Sequence, residues 1–256
     1  MKLSQVAAQL YTVRDFCQTA AGLAAAVRKI RAIGYEAAQL SGQGPIPEAE
    51  IARIMAGEGL AICATHEPAL VILDQPDKAI ESLQKLGCRL TAYPYPQGID
   101  FTDADSVTTL VRKLDAAGAR FRAAGLTLGY HNHDIEFLKF QGAPVLEFIY
   151  DHTDPRNLVG ELDTYWVHHG GGDCVEWCQR LRGRLPFIHL KDYAITRERR
   201  PIFCEIGTGT LPFRRIIHEA ELSGCAWFIV EQDTCPRDPF ESLQTSFEYI
   251  KNHLAA

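Results

Sequence analysis

The sequence predicts an α/β fold, a single (β/α)8 barrel of the TIM type that takes up residues 1–256 as one domain. Eight short apolar runs alternate with amphipathic stretches of helical period, as in a parallel sheet with crossover helices. Most of the runs are apolar on both faces, which is typical of strands covered by helices. A length of 256 residues, 46% of them hydrophobic, suits one large core.

The predicted strands are short and rich in β-branched and other apolar residues. Their spacing leaves room for one helix after each strand, so that right-handed crossovers bring successive strands side by side. In chain order the predicted strands are Leu3–Leu10, Tyr35–Leu40, Leu60–Thr65, Arg89–Tyr93, Leu126–His131, Leu158–Leu162, Pro186–Leu190 and Trp227–Glu231.

The predicted helices have apolar residues at intervals of three and four. Several precede a glycine, such as Gly34, Gly87 or Gly125, which readily ends a helix in a left-handed turn. No Gly-x-Gly-x-x-Gly follows the first strand, so a doubly wound open sheet is the weaker alternative. The predicted helices are Ala21–Ile33, Glu48–Ala56, Asp77–Leu86, Ser106–Ala124, Pro144–His152, Cys174–Leu181, Phe213–Leu222 and Phe240–His253.

Composition and charge exclude several classes of protein. A formal charge of −6, from 32 acidic and 26 basic residues, argues against a nucleic-acid partner. No apolar run is long enough for a membrane span, and the N-terminus lacks the apolar region of a secretory signal. The eight cysteines lie mostly in apolar segments, so we expect reduced thiols and a cytoplasmic location.

Polar side chains follow nearly every predicted strand, at the end where parallel barrels carry their chemistry. Buried charges and imidazoles are costly unless they serve one another or a cation. Carboxylates with imidazoles form the ligand set of divalent Mn, Fe, Co, Ni or Zn, so the pattern predicts a metal site at the barrel mouth. The alternative is a rim of solvated ion pairs. The residues are Gln9, Tyr11, Gln39, His66, Glu67, Tyr93, Tyr95, His131, His133, Glu136, Glu161, Asp163, His189, Lys191 and Glu231.

Three further features of these strand ends have two interpretations each. Lys191 lies two residues beyond His189, so it either faces the site above that histidine or pairs with Asp192 at the surface. The pair His168–His169 precedes three glycines, so it is either a solvated pair in a loop, which we favour, or a pair of ligands. The glycine-rich segment 204–209 is a weak candidate for a loop that holds a phosphate or sugar through backbone amides.

Five motifs, read in order, resemble the sugar phosphate isomerase/epimerase group of the xylose-isomerase-like barrel superfamily. They span residues 129–233, and the eight-unit pattern extends the resemblance along the chain. The motifs are Tyr-His-Asn-His-Asp-Ile-Glu-Phe, Glu-Leu-Asp-Thr-Tyr-Trp-Val, Pro-Phe-Ile-His-Leu-Lys-Asp, Glu-Ile-Gly-Thr-Gly-Thr-Leu-Pro-Phe and Phe-Ile-Val-Glu-Gln-Asp.

The resemblance implies a divalent metal held by Glu, Asp, His and Glu at four successive strand ends. Asp163, His189 and Glu231 match the last three positions, and we expect their side-chain atoms within about 3–5 Å of one another. The sequence departs at the first position, where His131 replaces the expected Glu. Three alternatives follow: His131 is the ligand, Glu136 reaches back from the loop, or the metal is bound weakly or not at all. We favour Glu136, with His131 and His133 as proton-transfer groups.

The endonuclease branch of the superfamily is a poor match. Its further zinc ligands would fall on Trp166, Pro201 and Phe203, none of which binds metal through its side chain. A trinuclear zinc site and a role in DNA repair are therefore not expected.

The resemblance implies an enzyme for a keto sugar, a sugar phosphate or an inosose that isomerises or epimerises its substrate through an enediolate. A metal ion, with Mn favoured over Co, Fe, Ni, Zn or Mg, would stabilise that species. We expect His133 and Glu136 to exchange protons, assisted by Lys191 and with Glu231 as a second base. His66 and Trp166 are expected to line the pocket.

Three alternatives remain open. Removal of the proton next to the carbonyl is also the first step of a dehydratase or lyase, including one that eliminates a glycoside from a 3-keto sugar. A barrel that binds a sugar without turnover would use the same residues for hydrogen bonds. The chain could also be one subunit of an enzyme assembly, and its assembly into a homo-oligomer is not fixed by the sequence.

Overall fold

The computed structural model describes residues 1–256, and its eight parallel strands close into a barrel in which each strand pairs with the next along the chain and the last pairs with the first. The predicted (β/α)8 fold class is therefore confirmed. The strands are β1 Val6–Gln9, β2 Ala37–Leu40, β3 Ala61–His66, β4 Leu90–Tyr93, β5 Thr127–His131, β6 Leu158–Asp163, β7 Phe187–Leu190 and β8 Trp227–Val230.

Ten α-helices accompany the strands, and each predicted helix is present within a few residues of its predicted bounds. Helices α3 and α7 were not predicted, and α7 includes the histidine pair that the sequence assigned to a loop. The helices are α1 Ala20–Ile33, α2 Glu48–Gly57, α3 Ala69–Asp74, α4 Pro76–Leu86, α5 Ala104–Ala123, α6 Val145–Asp151, α7 Thr164–His169, α8 Cys174–Arg180, α9 Phe213–Leu222 and α10 Pro239–His253.

Two short antiparallel hairpins rise from the end of the barrel at which the strands finish. One pairs Lys139–Phe140 with Ala143–Pro144 after β5. The other pairs Asp192–Ile195 with Pro201–Cys204 after β7. Both lie in segments for which the sequence predicted no strands.

The strand register places the C-terminal residues of the strands at one level. Gln9 is opposite Gln39 between β1 and β2, and Asp163 is opposite His189 between β6 and β7. Because side chains alternate along a strand, residues at one level turn into the barrel together. The polar strand ends predicted from the sequence therefore meet at one mouth.

The opposite half of the barrel interior is filled by small apolar side chains around Phe187. A Cβ added to Gly129 on β5 would lie 2.7 Å from Phe187 Cζ, so glycine is what admits this ring. Strands β5 and β7 are separated by one strand. In such barrels alternate strands supply the side chains of one interior layer, so Gly129 and Phe187 are expected to share a layer. The apolar layer closes the floor beneath the polar mouth. Its buried members are Ala7, Ala37, Cys63, Ala64, Ala92, Phe187 and Ile229.

None of the helices combines the length and apolar character that crossing a membrane would require. All eight cysteines are free thiols, and seven of them are buried.

Candidate active site

A cavity of about 700 Å³ opens at the C-terminal ends of the strands. Its wall combines aromatic rings with carboxylates and imidazoles, the combination that binds a polar ring through both faces and edges. The lining residues are Tyr11, Arg14, Ser41, His66, Glu67, Pro68, Pro94, Tyr95, His131, His133, Trp166, Phe203, Glu231, Asp233 and Thr234.

Four buried side chains form what we call the quartet: His131, Asp163, His189 and Glu231. His131 and Glu231 line the cavity, and Asp163 and His189 are fully buried behind them. One ligand atom from each lies within 4.8 Å of the others. His131 Nε2 and His189 Nδ1 are each 3.8 Å from Asp163 Oδ2, and His189 Nδ1 is 2.8 Å from Glu231 Oε2. Three of the predicted ligands, Asp163, His189 and Glu231, therefore come together.

The two oxygens of Asp163 have different surroundings. Oδ1 accepts a hydrogen bond from the backbone N–H of Trp166 at 3.0 Å and so caps helix α7. Oδ2 is buried without a hydrogen-bond partner, although Lys191 Nζ lies 3.2 Å away. Burial raises the pKa of Asp163 to about 6, against the opposing charge of Lys191. The cap fixes the carboxylate so that Oδ2 faces the quartet.

Both ring nitrogens of His189 face oxygen atoms. Nδ1 is 2.8 Å from Glu231 Oε2 and Nε2 is 2.6 Å from Gln39 Oε1. Burial alone would lower the pKa of His189, but the carboxylates of Glu161 and Glu231 outweigh it and raise the pKa to about 10. In the absence of a cation this ring is an imidazolium.

His131 is the quartet's other imidazole, with only 3% of its surface exposed. Its Nδ1 lies 3.3 Å from Glu161 Oε2, on the side opposite the quartet. Burial lowers the pKa of His131 to about 3, and the neighbouring His189 adds to the effect. The ring is therefore neutral, which is the form that binds metals.

Lys191 is buried, with its ammonium among three carboxylates. Nζ lies 2.8 Å from Asp233 Oδ2, 3.2 Å from Asp163 Oδ2 and 3.3 Å from Glu231 Oε2. Burial would lower the pKa of Lys191, but these carboxylates raise it above its ordinary value. Lys191 thus faces the site, and the alternative of a surface pair with Asp192 is wrong.

Glu136 does not join the quartet. Its side chain is fully buried, with Oε1 accepting from the Tyr130 hydroxyl at 2.9 Å and Oε2 accepting from the His133 backbone N–H at 2.8 Å. Burial raises the pKa of Glu136 to about 7. Since both oxygens are used to anchor the start of the loop after β5, the geometry does not support Glu136 as a metal ligand. His131 is the fourth member of the group that includes Asp163, His189 and Glu231.

His133 and Trp166 form one wall of the cavity, where the sequence predicted a proton-transfer group and a substrate contact. Their ring centroids are 5.4 Å apart, and the Tyr95 ring lies 5.2 Å from His133. His133 Nδ1 and Trp166 Nε1 are buried without hydrogen-bond partners. Burial lowers the pKa of His133, so its ring is neutral.

A second polar layer lies beneath the quartet, centred on Glu161. This carboxylate accepts from Gln39 Nε2 at 2.6 Å and lies 2.6 Å from His66 Nε2. His66, predicted to contact substrate, therefore lines the cavity and reaches this layer as well. The sequence placed Glu161 at a strand end without giving it a role. Its position two residues before Asp163 puts both carboxylates on the same strand face, and that spacing is the pattern that identifies it.

The pair His168–His169 and the glycine-rich segment 204–209 both lie outside the quartet. His169 ends α7 and lies 3.5 Å from Asp134 through Nε2. The backbone N–H groups of Gly207 and Gly209 each donate to Asp192 Oδ2 at 2.9 Å. These amides are used inside the protein and do not form the phosphate or sugar loop that the sequence suggested.

Comparison with known proteins gives consistent results. A family model described as "Xylose isomerase-like TIM barrel" matches residues 27–253. An inosose dehydratase from Mesomycoplasma hyopneumoniae is 25% identical, over 89% of this chain and 87% of that protein. An inosose dehydratase from Geobacillus thermodenitrificans is 24% identical over 56% of this chain. The match covers 53% of the Geobacillus protein, so the chain spans about half the length of that curated relative.

Among solved structures, a sugar phosphate isomerase/epimerase from Parabacteroides distasonis superposes with a TM-score of 0.83 at 21% sequence identity. The superposition covers 99% of this chain and 96% of that one. At this level of identity the likeness establishes the shared fold.

Proposed function

Because the chain belongs to the xylose isomerase-like TIM barrel family, we propose that it is a metal-dependent enzyme that isomerises or epimerises a keto sugar, a sugar phosphate or an inosose through an enediolate. The observation that carries the proposal is the quartet itself. Four buried ligand atoms converge beside an open cavity that His131 and Glu231 line, and Asp163 Oδ2 among them lacks a hydrogen bond.

The donor set fits a divalent cation. Ligand atoms bound at about 2.0–2.2 Å from one ion lie roughly 3–4.5 Å apart, and the quartet's separations fall close to that range. Two imidazoles and two carboxylates suit Mn, Fe, Co, Ni or Zn, and we retain Mn²⁺ as the favoured ion. In this proposal His131 takes the ligand position that the family resemblance gives to a glutamate.

The proposed chemistry divides between the ion and the surrounding side chains. When bound, a divalent ion supplies positive charge that stabilises the negative charge developing on a substrate carbonyl and its neighbouring oxygen. His133, neutral and facing the cavity, removes or returns the proton at the adjacent carbon. Lys191 adds a fixed positive charge beside the carboxylates of Asp163 and Glu231. Trp166 and His66 contact the sugar ring.

Dehydration is the second candidate, and the curated relatives favour it because both are named inosose dehydratases. The first proton transfer is common to both reactions. They differ in whether a proton returns to carbon or a hydroxyl leaves from the next carbon. A cytoplasmic location is part of the same proposal, since free thiols are kept reduced there.

Proton–deuterium exchange tests the shared step. The purified protein is incubated with Mn²⁺ in D₂O and a panel of keto sugars, their phosphates and inososes, and mass spectrometry follows deuterium uptake and loss of water. We expect exchange that falls by about 10²–10⁴-fold in His133→Gln. The matched control is His169→Gln, a histidine outside the cavity, which should keep the wild-type rate.

The products then separate the candidates. Return of an exchanged isomer or epimer supports isomerisation, whereas a product lighter by one water identifies a dehydratase. Binding of a sugar without exchange in any member of the panel would show a binding protein and reject the enzymatic proposal.

A further inference from the structure

The two imidazoles of the quartet share one partner on their far side. His131 Nδ1 lies 3.3 Å from Glu161 Oε2 in a charge contact without a hydrogen bond, and His189 Nε2 lies 3.3 Å from Glu161 Oε1. The other nitrogen of each ring, Nε2 of His131 and Nδ1 of His189, is the one that faces Asp163 Oδ2. A single carboxylate therefore stands behind both imidazoles.

Glu161 is fully buried, and its cationic neighbours within ion-pair distance are all imidazoles. A carboxylate in such a place only accepts hydrogen bonds, so ring nitrogens that face it must carry protons to interact favourably. His66 Nε2, at 2.6 Å, is the third ring nitrogen that faces it. The Glu161 carboxylate thus favours a proton on the nitrogen that faces it in each of the three imidazole rings.

Gln39 reinforces the same arrangement at His189. Its Nε2 donates to Glu161 at 2.6 Å, which leaves Oε1 to accept from His189 Nε2 at 2.6 Å and from Gln9 Nε2 at 2.9 Å. The reverse amide orientation would place two acceptors against each other at Glu161. His189 Nε2 therefore carries a proton. Nδ1 lies 2.8 Å from Glu231 Oε2 and carries the second proton of the imidazolium when no cation is bound, so it is the nitrogen that would lose its proton to a cation.

We infer that Glu161 is a positioning residue that sets the tautomers of both metal-binding histidines. By favouring protons on His131 Nδ1 and His189 Nε2, it leaves the opposite nitrogens, each 3.8 Å from Asp163 Oδ2, as the ones that would bind a cation. Hydrogen bonds to the second nitrogen of a ligating histidine orient the ring and increase its basicity. The inference rests on the part of the proposed function that assigns metal binding to the quartet.

The same deep atoms could instead bind a second ion, because His66, His131, Glu161 and His189 also offer ligand atoms within 4.8 Å of one another. The contacts favour positioning. His66 Nε2 and His189 Nε2 are each in a 2.6 Å contact with an oxygen, and a second ion would have to displace the protons there. In these two groups of residues, two buried atoms lack hydrogen-bond partners: Asp163 Oδ2, which belongs to the quartet, and His131 Nδ1, which faces Glu161.

The test measures metal binding without substrate. Mn²⁺ and Zn²⁺ are each titrated by calorimetry into the wild type and Glu161→Gln, whose amide can accept on only one of the two sides. We expect one ion per chain in the wild type and an affinity about 10–100-fold lower in the variant. Histidine ¹⁵N NMR of the zinc form should show protons on His131 Nδ1 and His189 Nε2, with at least one of these signals altered by the substitution.

The matched control is Glu136→Gln, an equally buried glutamate that contacts neither quartet imidazole, and we expect its metal affinity to stay within about 3-fold of wild type. Circular dichroism checks that each variant folds. If Glu161→Gln does not fold, Gln39→Met probes the same contact through the His189 signal.

The outcomes separate this inference from the proposed function. A wild type that binds no ion rejects both. A wild type that binds one ion with unchanged affinity and histidine signals in Glu161→Gln rejects the positioning role alone. Two ions per chain, with one lost in Glu161→Gln, would identify Glu161 as a ligand and overturn the inference.

Discussion

Asp163 serves the fold with one oxygen and the quartet with the other, so a substitution can separate the two uses. In Asp163→Asn the side-chain carbonyl still accepts from Trp166 N–H and caps α7, but an amide group replaces Oδ2. We expect near-normal stability and a loss of metal affinity of at least about 100-fold. The loss should be this large because removing a group that only hydrogen-bonds to a metal ligand already lowers metal affinity by about 10–100-fold.

Titration calorimetry with Mn²⁺ provides the measurement, and Asp233→Asn is the control, because Asp233 contacts Lys191 but lies outside the quartet. Equal metal affinity in Asp163→Asn and the wild type would remove Asp163 from the ligand set.

Glu136 gives the protein a specific dependence of stability on pH. Its pKa is about 7 in the fold against an ordinary 4.5, so the folded state binds an extra proton between these values. The contribution to the free energy of unfolding is therefore full below about pH 4.5 and is lost as pH rises through 7. We expect the wild type to lose about 2 kcal/mol relative to Glu136→Gln between pH 5 and pH 8.

Urea denaturation of both proteins at the two pH values measures this difference. If the difference in free energy of unfolding between the two proteins does not change with pH, Glu136 stays ionised in the fold.

The sequence predicted single residues well where strand alternation governs their direction. Asp163, His189 and Glu231 each lie within one residue of the C-terminal end of a strand, so their meeting follows from the fold. Glu136 and His131 could not be decided in this way, because the chain leaves β5 through a loop and a 3₁₀ turn at Ile135–Phe137. Only the structure shows that this turn directs Glu136 back toward Tyr130.

Among the secondary-structure elements, helix α5 contains a glycine, Gly118, that stabilises the protein through packing. Gly118 is buried, and a Cβ added there would lie 2.0 Å from the backbone oxygen of Asn157. Helix propensity alone would favour alanine by about 1 kcal/mol. Because a backbone atom cannot move aside cheaply, we expect Gly118→Ala to destabilise the protein by about 2 kcal/mol or more.

Gly57 in α2 is the matched control, since a Cβ there would meet nothing within 4 Å. Gly57→Ala should stabilise by up to about 1 kcal/mol. Thermal and urea unfolding of the two variants would contradict the argument if both shifted in the same direction.

The boundaries of the long helices were predictable, whereas α7 was not. Its start depends on the Asp163 cap, a residue that the sequence analysis assigned only to the metal site. The hairpin after β7 depends likewise on Asp192, which accepts from backbone groups as distant in sequence as Leu211 at 3.2 Å. Such contacts join segments that local sequence patterns treat separately.

For the molecule as a whole, metal binding should be linked to thermal stability. An ion that binds the folded state at 100 times its Kd adds about 2.7 kcal/mol to the free energy of unfolding. For a chain of this size that corresponds to a rise in Tm of about 5–10 °C. Differential scanning calorimetry with added Mn²⁺, and then with a chelator, measures the shift. We expect a rise of no more than about 1–2 °C in Asp163→Asn. A wild type that shows no rise would contradict metal binding by the quartet.

The contact between Gly129 and Phe187 has a consequence for how sequences of this barrel can diverge. A side chain at position 129 would occupy space that the ring of Phe187 already fills, 2.7 Å from the added carbon. Either position can therefore change safely only if the other changes with it, by exchanging volume across the barrel. Among homologous sequences, larger residues at 129 should occur together with smaller ones at 187, so that the two positions drift as a pair.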